Sequence, residues 1–562
     1  MKLRLLLALA VLTINISKKV EVNAQEIDRP NIVLILADDL GFTDISPFGS
    51  EISTPNIAKL ASEGLSFTNY HTAGSCAPAR AMLLTGVDSH RNGVPNIPEV
   101  LPEQQLAYEH YKGVLSNNVV TLADMLQNAG YHTYMTGKWH LGHTPDLLPS
   151  KRGFDRTIAM ADTGADNWDQ RTYLPIYDEA HWYADGAPHT LPDDFYSSKY
   201  FIDKTIEFVD SNIADEQPFF AYIPFQAVHM PVQAPREFSD KYAGVYDEGW
   251  EIMREKRRVS AIAAGVVPEN SQAVVTPGTL DWNSLTVEQQ QHHARRMEVY
   301  AGMVEAMDMH IGRLMEYLKA IGEYDNTIFL FTSDNGSEGS NIILPDGKSP
   351  FSAWFDIVGY NTNYSTLGER DSWNAIGPSN ATISASPLSF YKFYANEGGL
   401  RVPLVVSGPG IRKQGQMTDE FVYVTDLMPT ILKLVGVKEH GDSWMNQEVE
   451  PMIGTDFSGF LSGATSFVHL ESDAIGYELG GNSALFKGDY KIVINRIGQS
   501  ESNWHLFDIK RDPGETTDLS KQFPVLMLEM IADYEHYVNT NNVLPMPEDY
   551  DAARVMMNAV RR

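Results

Sequence analysis

The run Cys76-Ala77-Pro78-Ala79-Arg80, continued by Met82-Leu83-Leu84-Thr85-Gly86, contains the one cysteine of a 562-residue chain. A protein stabilised by disulfides carries cysteines in pairs, so a solitary one is either incidental or chemical. Proline is well tolerated in the first turn of a helix, and the residues after Pro78 are good helix formers, which predicts a helix whose N-terminus lies at residue 76. Free N–H groups and the positive end of the helix dipole favour an anion there. Arg80, one turn on, falls on the same helical face. The alternative is a small buried hydrophobe whose reactivity is irrelevant.

Outward from this run, short apolar segments alternate with amphipathic ones, the pattern of a largely parallel sheet flanked by helices. Strands are predicted at 31–37, 219–224, 327–332 and 403–407, and helices at 55–63, 121–129 and 293–321. The last helix repeats apolar residues at Met297, Tyr300, Val304, Met307, Ile311, Leu314 and Leu318, and its methionines read as core packing. Between Asn335 and Lys392 periodicity fades while Trp354, Phe355, Tyr360, Tyr364 and Trp373 accumulate, which predicts a lid. From about residue 470 Gly-rich hairpin segments around 483–494 and 504–509, then a helix over 525–538, predict a small α+β subdomain with an antiparallel sheet.

Two acidic groups terminate apolar strands. Asp38-Asp39 follows the strand 31–37, and Asp334-Asn335-Gly336 follows the strand that begins at Thr327. Ligands of open α/β sheets gather outside the carboxyl ends of the strands, so these side chains should meet in one crevice. Three carboxylates and an amide crowd together only around a cation, and hard oxygen donors suit Ca²⁺ or Mg²⁺ better than zinc. Taken singly, each group is equally well read as turn or cap chemistry.

At the other extreme of the chain, Lys2 and Arg4 precede the apolar run Leu5 to Ile14, and Val22-Asn23-Ala24 offers small residues for cleavage. This reads as a signal peptide over 1–24, followed by a catalytic domain over 25–469 and the subdomain over 470–562. No later apolar run reaches the length of a membrane span, so a periplasmic or secreted protein without a membrane anchor is expected. A content of 43% apolar and 10% aromatic residues supports a large core. A formal net charge of −30 argues against nucleic acid as a partner, which requires a basic face. Attraction of an anionic substrate would then depend on cations concentrated at the site.

The pattern C-x-P-x-R at 76–80 is the signature at which sulfatases oxidise cysteine to formylglycine, and with the two acidic groups the chain resembles type I sulfatases, bacterial arylsulfatases in particular. The resemblance extends to Gly137-Lys138-Trp139-His140-Leu141-Gly142, to Gln226-Ala227-Val228-His229-Met230-Pro231, and to Lys392 ahead of Asn396-Glu397-Gly398-Gly399-Leu400-Arg401. It implies an α/β, alkaline phosphatase-like fold built on a large, mostly parallel mixed sheet. It implies a metal site, most often calcium, on Asp38, Asp39, Asp334, Asn335 and the oxidised residue 76, and a dependence on a formylglycine-generating maturation enzyme. Lys138, His229 and Lys392 would contact the sulfate ester, Arg80 would hold the hydrated aldehyde, and Asp334 would take its proton. His229 with Lys392 would protonate the leaving alcohol, and His140 would deprotonate the second hydroxyl. Two rivals stand beside hydrolysis of aryl, alkyl or carbohydrate sulfates: a formylglycine-dependent phosphonate or phosphate ester hydrolase, and an exported sulfate-ester-binding protein in which Cys76 is never oxidised.

Overall fold

The structure, a computed structural model, describes residues 29–560 apart from 216, 341, 343–348, 350, 413–414 and 497–502. The proposed signal peptide lies outside the described residues. Strand β1 (Asn31–Ala37) is Asn followed by a run of Val, Ile, Leu and Ala, buried along its whole length. Ile32, Leu34 and Leu36 face one apolar cluster, and Val33, Ile35 and Ala37 face another on the opposite side of the sheet. Such a strand is stable only in the middle of a sheet covered on both faces.

The other strands of that sheet are β2 (Leu65–His71), β3 (His132–Lys138), β4 (Arg156–Met160), β5 (Trp182–Ala184), β6 (Ala187–Pro188), β7 (Phe219–Pro224), β8 (Thr327–Ser333), β9 (Arg401–Ser407), β10 (Gln416–Thr418) and β11 (Val422–Tyr423). Their order is β10-β2-β9-β8-β1-β7-β3-β4-β5-β6, with β11 also on β2, eleven strands in all. The block β8-β1-β7-β3-β4 is parallel throughout. Strand β9 runs antiparallel to both neighbours, β2 and β8. Pro403, which has no N–H to give a ladder, sits in β9 where the register against β2 slips between Phe67 and Tyr70. Helix α1 (Pro55–Glu63) and helix α2 (Cys76–Thr85) follow on the first two crossings.

Several expectations need adjusting. The helix expected over 293–321 begins at Val287, because Thr286 and Gln289 form a capping box ahead of polar residues that masked the periodicity. The stretch between Asn335 and Lys392, expected to lack regular structure, includes the helices Ser352–Val358 and Gly377–Ala385. The predicted strand 403–407 starts two residues earlier, at Arg401.

After the main sheet, β12 (Ser443–Trp444) and β13 (Gln447–Glu448) form a small hairpin. Strands β14 (Ala474–Leu479), β15 (Asn482–Lys487), β16 (Tyr490–Ile494) and β17 (His505–Asp508) form a separate antiparallel sheet, packed against the helix Pro524–Asn541. Strand β14 and the short helix Ala552–Val560 were not anticipated. Two buried ionic groups join this sheet to the rest of the protein, the first to strands of the main sheet and the second to the short helix Ser89–Asn92. In the first, Glu397 meets His71 at 3.0 Å, Lys491 at 2.9 Å and Arg401 at 3.4 Å, while Lys491 also reaches Glu515 at 2.9 Å. In the second, His90 lies between Asp88 at 3.1 Å and Glu478 at 2.8 Å. Beside them the Gly74 amide donates to the Tyr477 hydroxyl at 2.9 Å and Asn482 donates to the Phe393 carbonyl at 2.7 Å, so the second sheet braces the chain on both sides of Cys76 and Lys392. Among the described residues no helix is long and apolar enough to cross a membrane.

Candidate active site

Because β1, β3, β7 and β8 are parallel, their carboxyl ends lie on one edge and deliver Asp38 and Asp39, Lys138 and His140, His229, and Asp334 and Asn335 to a single crevice. Helix α2 points its N-terminus into the same place with Cys76 as its first residue. Backbone bonds fix the convergence. The Asp334 amide donates to the Ala37 carbonyl at 3.1 Å, the Asp38 amide to the Ala227 carbonyl at 2.9 Å, and the Val228 amide to the Asp38 carbonyl at 2.7 Å. Asp39 and His140 adopt left-handed conformations, with φ of 63° and 56°. Such backbone is uncommon for residues other than glycine and concentrates at functional sites. Gly137 has its own reason: at φ 145° a Cβ there would lie 1.9 Å from the Pro224 carbonyl oxygen of the neighbouring strand.

All ten residues expected at the site come together. Asp38, Asp39, Cys76 and Asp334 present ligand atoms within 4.8 Å of one another, all buried. Asn335 donates to Asp39 Oδ1 at 2.7 Å, which turns its own Oδ1 elsewhere. That oxygen and Asp38 Oδ1 are buried without a hydrogen-bond donor. Three carboxylates and an amide with two buried oxygens that accept no hydrogen bond, Asn335 Oδ1 and Asp38 Oδ1, the latter with Arg80 Nη2 at 3.5 Å, are the donor set that a hard divalent cation satisfies, and the residues therefore fit one.

Three buried cations, Arg80, Lys138 and Lys392, are gathered here. Arg80 forks onto Asp334 Oδ2 at 2.7 and 2.9 Å and donates to the Lys138 carbonyl at 2.8 Å. Lys138 lies 2.7 Å from Asp38, and Lys392 lies 2.8 Å from Asp39 and 3.2 Å from Glu338. Cys76 Sγ stands 3.8 Å from Asp39 Oδ1. His229 Nδ1 donates to the Met230 carbonyl at 2.5 Å and leaves Nε2 3.7 Å from Asp39. Gly164 makes room for that ring, since a Cβ would come within 2.9 Å of its Cε1. Tyr173 packs edge-on against His229 and belongs to an apolar group with Leu174, Met230, Phe355 and Trp373.

Titration behaviour follows from burial and neighbouring charge. Burial opposes ionisation of Asp39, but Lys392, His229 and Lys138 outweigh it and hold the carboxyl well below its usual range. Burial and the charge of Asp38 push Asp334 up to about 6 despite Arg80. Burial pushes the Cys76 thiol up. Burial and then Lys138 push His229 far down, so its neutral form carries the proton on Nδ1 and a lone pair on Nε2. His140 is lowered by burial more than Glu99 raises it.

Reading the sequence missed Glu99, Tyr177 and Glu338. Glu99 touches His140, Tyr177 donates to Glu99, and Glu338 shares Lys392 with Asp39. Glu99 lies in the short turn Pro98–Val100, where nothing but a proline marks the sequence.

Residues 30–437 match the sulfatase family model. The chain is 38% identical over 549 residues to an uncharacterized sulfatase of Schizosaccharomyces pombe, covering 94% of this chain and 97% of that one. It is 34% identical over 439 residues to an arylsulfatase of Klebsiella aerogenes, covering 78% and 93%. In fold it resembles the crystal structure of Ps i-CgsB in complex with k-i-k-neocarrahexaose, with a TM-score of 0.65, 24% identity, and 95% and 98% of the two chains covered. A family match over most of the chain, on a fold that assembles every motif at one sheet edge, means that the chain belongs to the sulfatase family and is a sulfuric ester hydrolase.

Proposed function

We propose that the protein hydrolyses sulfate monoesters, aryl esters foremost, with residue 76 oxidised to formylglycine and hydrated to a geminal diol, and with Ca²⁺, or alternatively Mg²⁺, as cofactor. The observation that carries this reading is the position of Cys76: the first residue of helix α2, 3.8 Å from a carboxylate of a group with two orphaned oxygens. The sulfur stands in for a diol oxygen. A divalent cation held by Asp38, Asp39, Asp334 and Asn335 would offset their charge and help neutralise the sulfate.

The remaining steps fall to side chains. Lys138 and Lys392, whose carboxylate partners the cation would engage, turn to the sulfate oxygens. Asp334 takes the proton of the attacking hydroxyl, and Arg80 holds Asp334 in place. His229 protonates the departing alcohol oxygen from Nε2. Because its neutral form is protonated on Nδ1, it must be the imidazolium in the substrate complex, and the bound anion favours that form. His140 then removes the proton of the second hydroxyl, and sulfate leaves as the aldehyde reforms.

Aryl esters are favoured by the apolar group of Tyr173, Leu174, Met230, Phe355 and Trp373 beside His229 and by the likeness to an arylsulfatase. The test is release of nitrophenol from its sulfate and from a phosphonate monoester, by enzyme coexpressed with a maturation system and by a Cys76→Ala control. Faster sulfate turnover that disappears in the control is the expected result. Faster phosphonate turnover, or turnover retained in the control, overturns the reading.

A further inference from the structure

The two ring nitrogens of His140 face different surroundings. Its Nε2 lies 3.5 Å from Glu99 Oε2, and its Nδ1 is buried without any hydrogen-bond partner. The other Glu99 oxygen accepts a hydrogen bond from the Tyr177 hydroxyl. His140 and Glu99 are shielded from water, at 2% and 7% exposed, and Tyr177 is half-buried. A separation of 3.5 Å is the long end of hydrogen-bonding range, as is common in catalytic pairs before substrate binds. A carboxylate can only accept, so the imidazole proton belongs on Nε2 and the lone pair on Nδ1. This is the logic by which a buried carboxylate sets the tautomer of a catalytic histidine. Tyr177 is itself clamped: its ring stands edge-on to His143 and His181, at 5.8 and 5.9 Å, and His181 is held by Asp162 at 2.9 Å.

We propose that Glu99, supported by Tyr177, is the positioning residue that makes His140 Nδ1 the base for the second half of the reaction, expulsion of sulfate from residue 76. The proposal rests on the formylglycine sulfatase reading above. In the first half the diol oxygen bonds to sulfur, the bond from sulfur to the ester oxygen breaks, and the alcohol leaves with a proton from His229. That leaves a hemiacetal sulfate ester on residue 76. In the second half His140 Nδ1 takes the proton of the remaining hydroxyl, its O–H electron pair becomes the carbonyl bond, and the bond from carbon to the sulfate oxygen breaks, with the pair leaving on sulfate. Water then rehydrates the aldehyde. Glu99 touches none of the reacting atoms. Without it either imidazole nitrogen can hold the proton, and only the second half suffers.

Rapid mixing of matured Glu99→Gln enzyme with nitrophenyl sulfate separates the halves. The expected result is a burst of about one nitrophenol per formylglycine at close to the wild-type rate, followed by steady turnover slowed ~10²-fold. Acid-quenched protein should carry sulfate on residue 76 by intact mass, an adduct absent from the wild type under the same conditions. Tyr177→Phe, which leaves the carboxylate in place, should show the same pattern with a loss of ~3–10-fold, about what one hydrogen bond is worth. Equal loss of burst and steady rate without an adduct in both variants, or wild-type turnover in Glu99→Gln, overturns the proposal while leaving the sulfatase reading intact. A wild-type enzyme with proven formylglycine that leaves the sulfate ester uncleaved overturns that reading and the proposal with it.

Discussion

Two buried ionic clusters of similar size behave in opposite ways. At the junction of the two sheets, Glu397 is filled by His71, Lys491 and Arg401, and Glu515 accepts from Lys491, Asn396, Ser389 and the Glu397 amide. One side-chain atom of that group, His71 Nδ1, lacks a partner, and it is a ring nitrogen, which carries no formal charge in neutral imidazole. In the crevice the leftover atoms are Asp38 Oδ1, Asn335 Oδ1 and His140 Nδ1, all able to accept. Burying charge is costly in both places, and only complete pairing offsets it. Every carboxylate oxygen of the junction has a partner as the protein stands, whereas the crevice leaves a carboxylate oxygen, Asp38 Oδ1, and an amide oxygen, Asn335 Oδ1, over for something it binds. Between these two clusters, unsatisfied oxygen acceptors, more than charge or burial, separate the site from the strut.

The contrast can be broken experimentally. The largest effect is expected from Asp39→Asn, which should lower nitrophenyl sulfate turnover by ~10³-fold or more. Its melting temperature should change little, because Lys392 keeps Glu338 as a partner and the remaining carboxylates repel less. A melting point that collapses with activity would make the crevice a strut like the junction. Chelation should abolish turnover, and added Ca²⁺ should restore it; full activity after exhaustive metal removal would eliminate the proposed cation. His229→Ala should slow esters of poorly leaving alcohols by ~10²–10⁴-fold and nitrophenyl sulfate much less. Equal losses on both substrates would deny it the acid role.

Lys491→Met tests the other side. Stranding Glu397 and Glu515 should cost about 3–5 kcal/mol in denaturant unfolding while turnover of the folded protein at low temperature persists. The smallest effect concerns His90, whose pKa is pushed up to about 9: burial lowers it, but hydrogen bonds to Asp88 and Glu478 outweigh that. The folded state holds this proton more tightly than the unfolded chain. Its contribution, about 3 kcal/mol, is therefore complete below the ordinary histidine pKa of about 6.5 and is lost as pH rises to about 9. Thermal melts of wild type and His90→Asn should differ most below pH 6.5 and converge above pH 9. A constant difference would remove the proton from the account.

The proposed metal ligands and the strands that carry them were legible because hydrophobic runs ending in acidic pairs leave a local signature. Strand β1 and β7 fall where periodicity put them. Strand β2, with Ser66, Thr68 and Asn69 inside it, has no such run, and its burial is imposed by its sheet partners β9, β10 and β11. The junction was invisible because His71, Glu397 and Lys491 are hundreds of positions apart at the extremes, and only the fold makes them neighbours. Glu99 was missed for the same reason. A carboxylate in an aperiodic turn acquires meaning from the imidazole it faces, not from its own surroundings in the chain.

Cys76 is 1% exposed, and all ten residues of its helix are buried. That fixes an order of events. A macromolecular modifier of this side chain, as the proposed oxidation requires, must reach it before helix α2 is packed in place. A polypeptide that folds first locks in a thiol, and its fate is decided before the native state exists. Under the proposed oxidation of residue 76, two populations of identical sequence and superimposable fold would then coexist, one competent and one permanently inert, in a ratio set by a race between folding and oxidation.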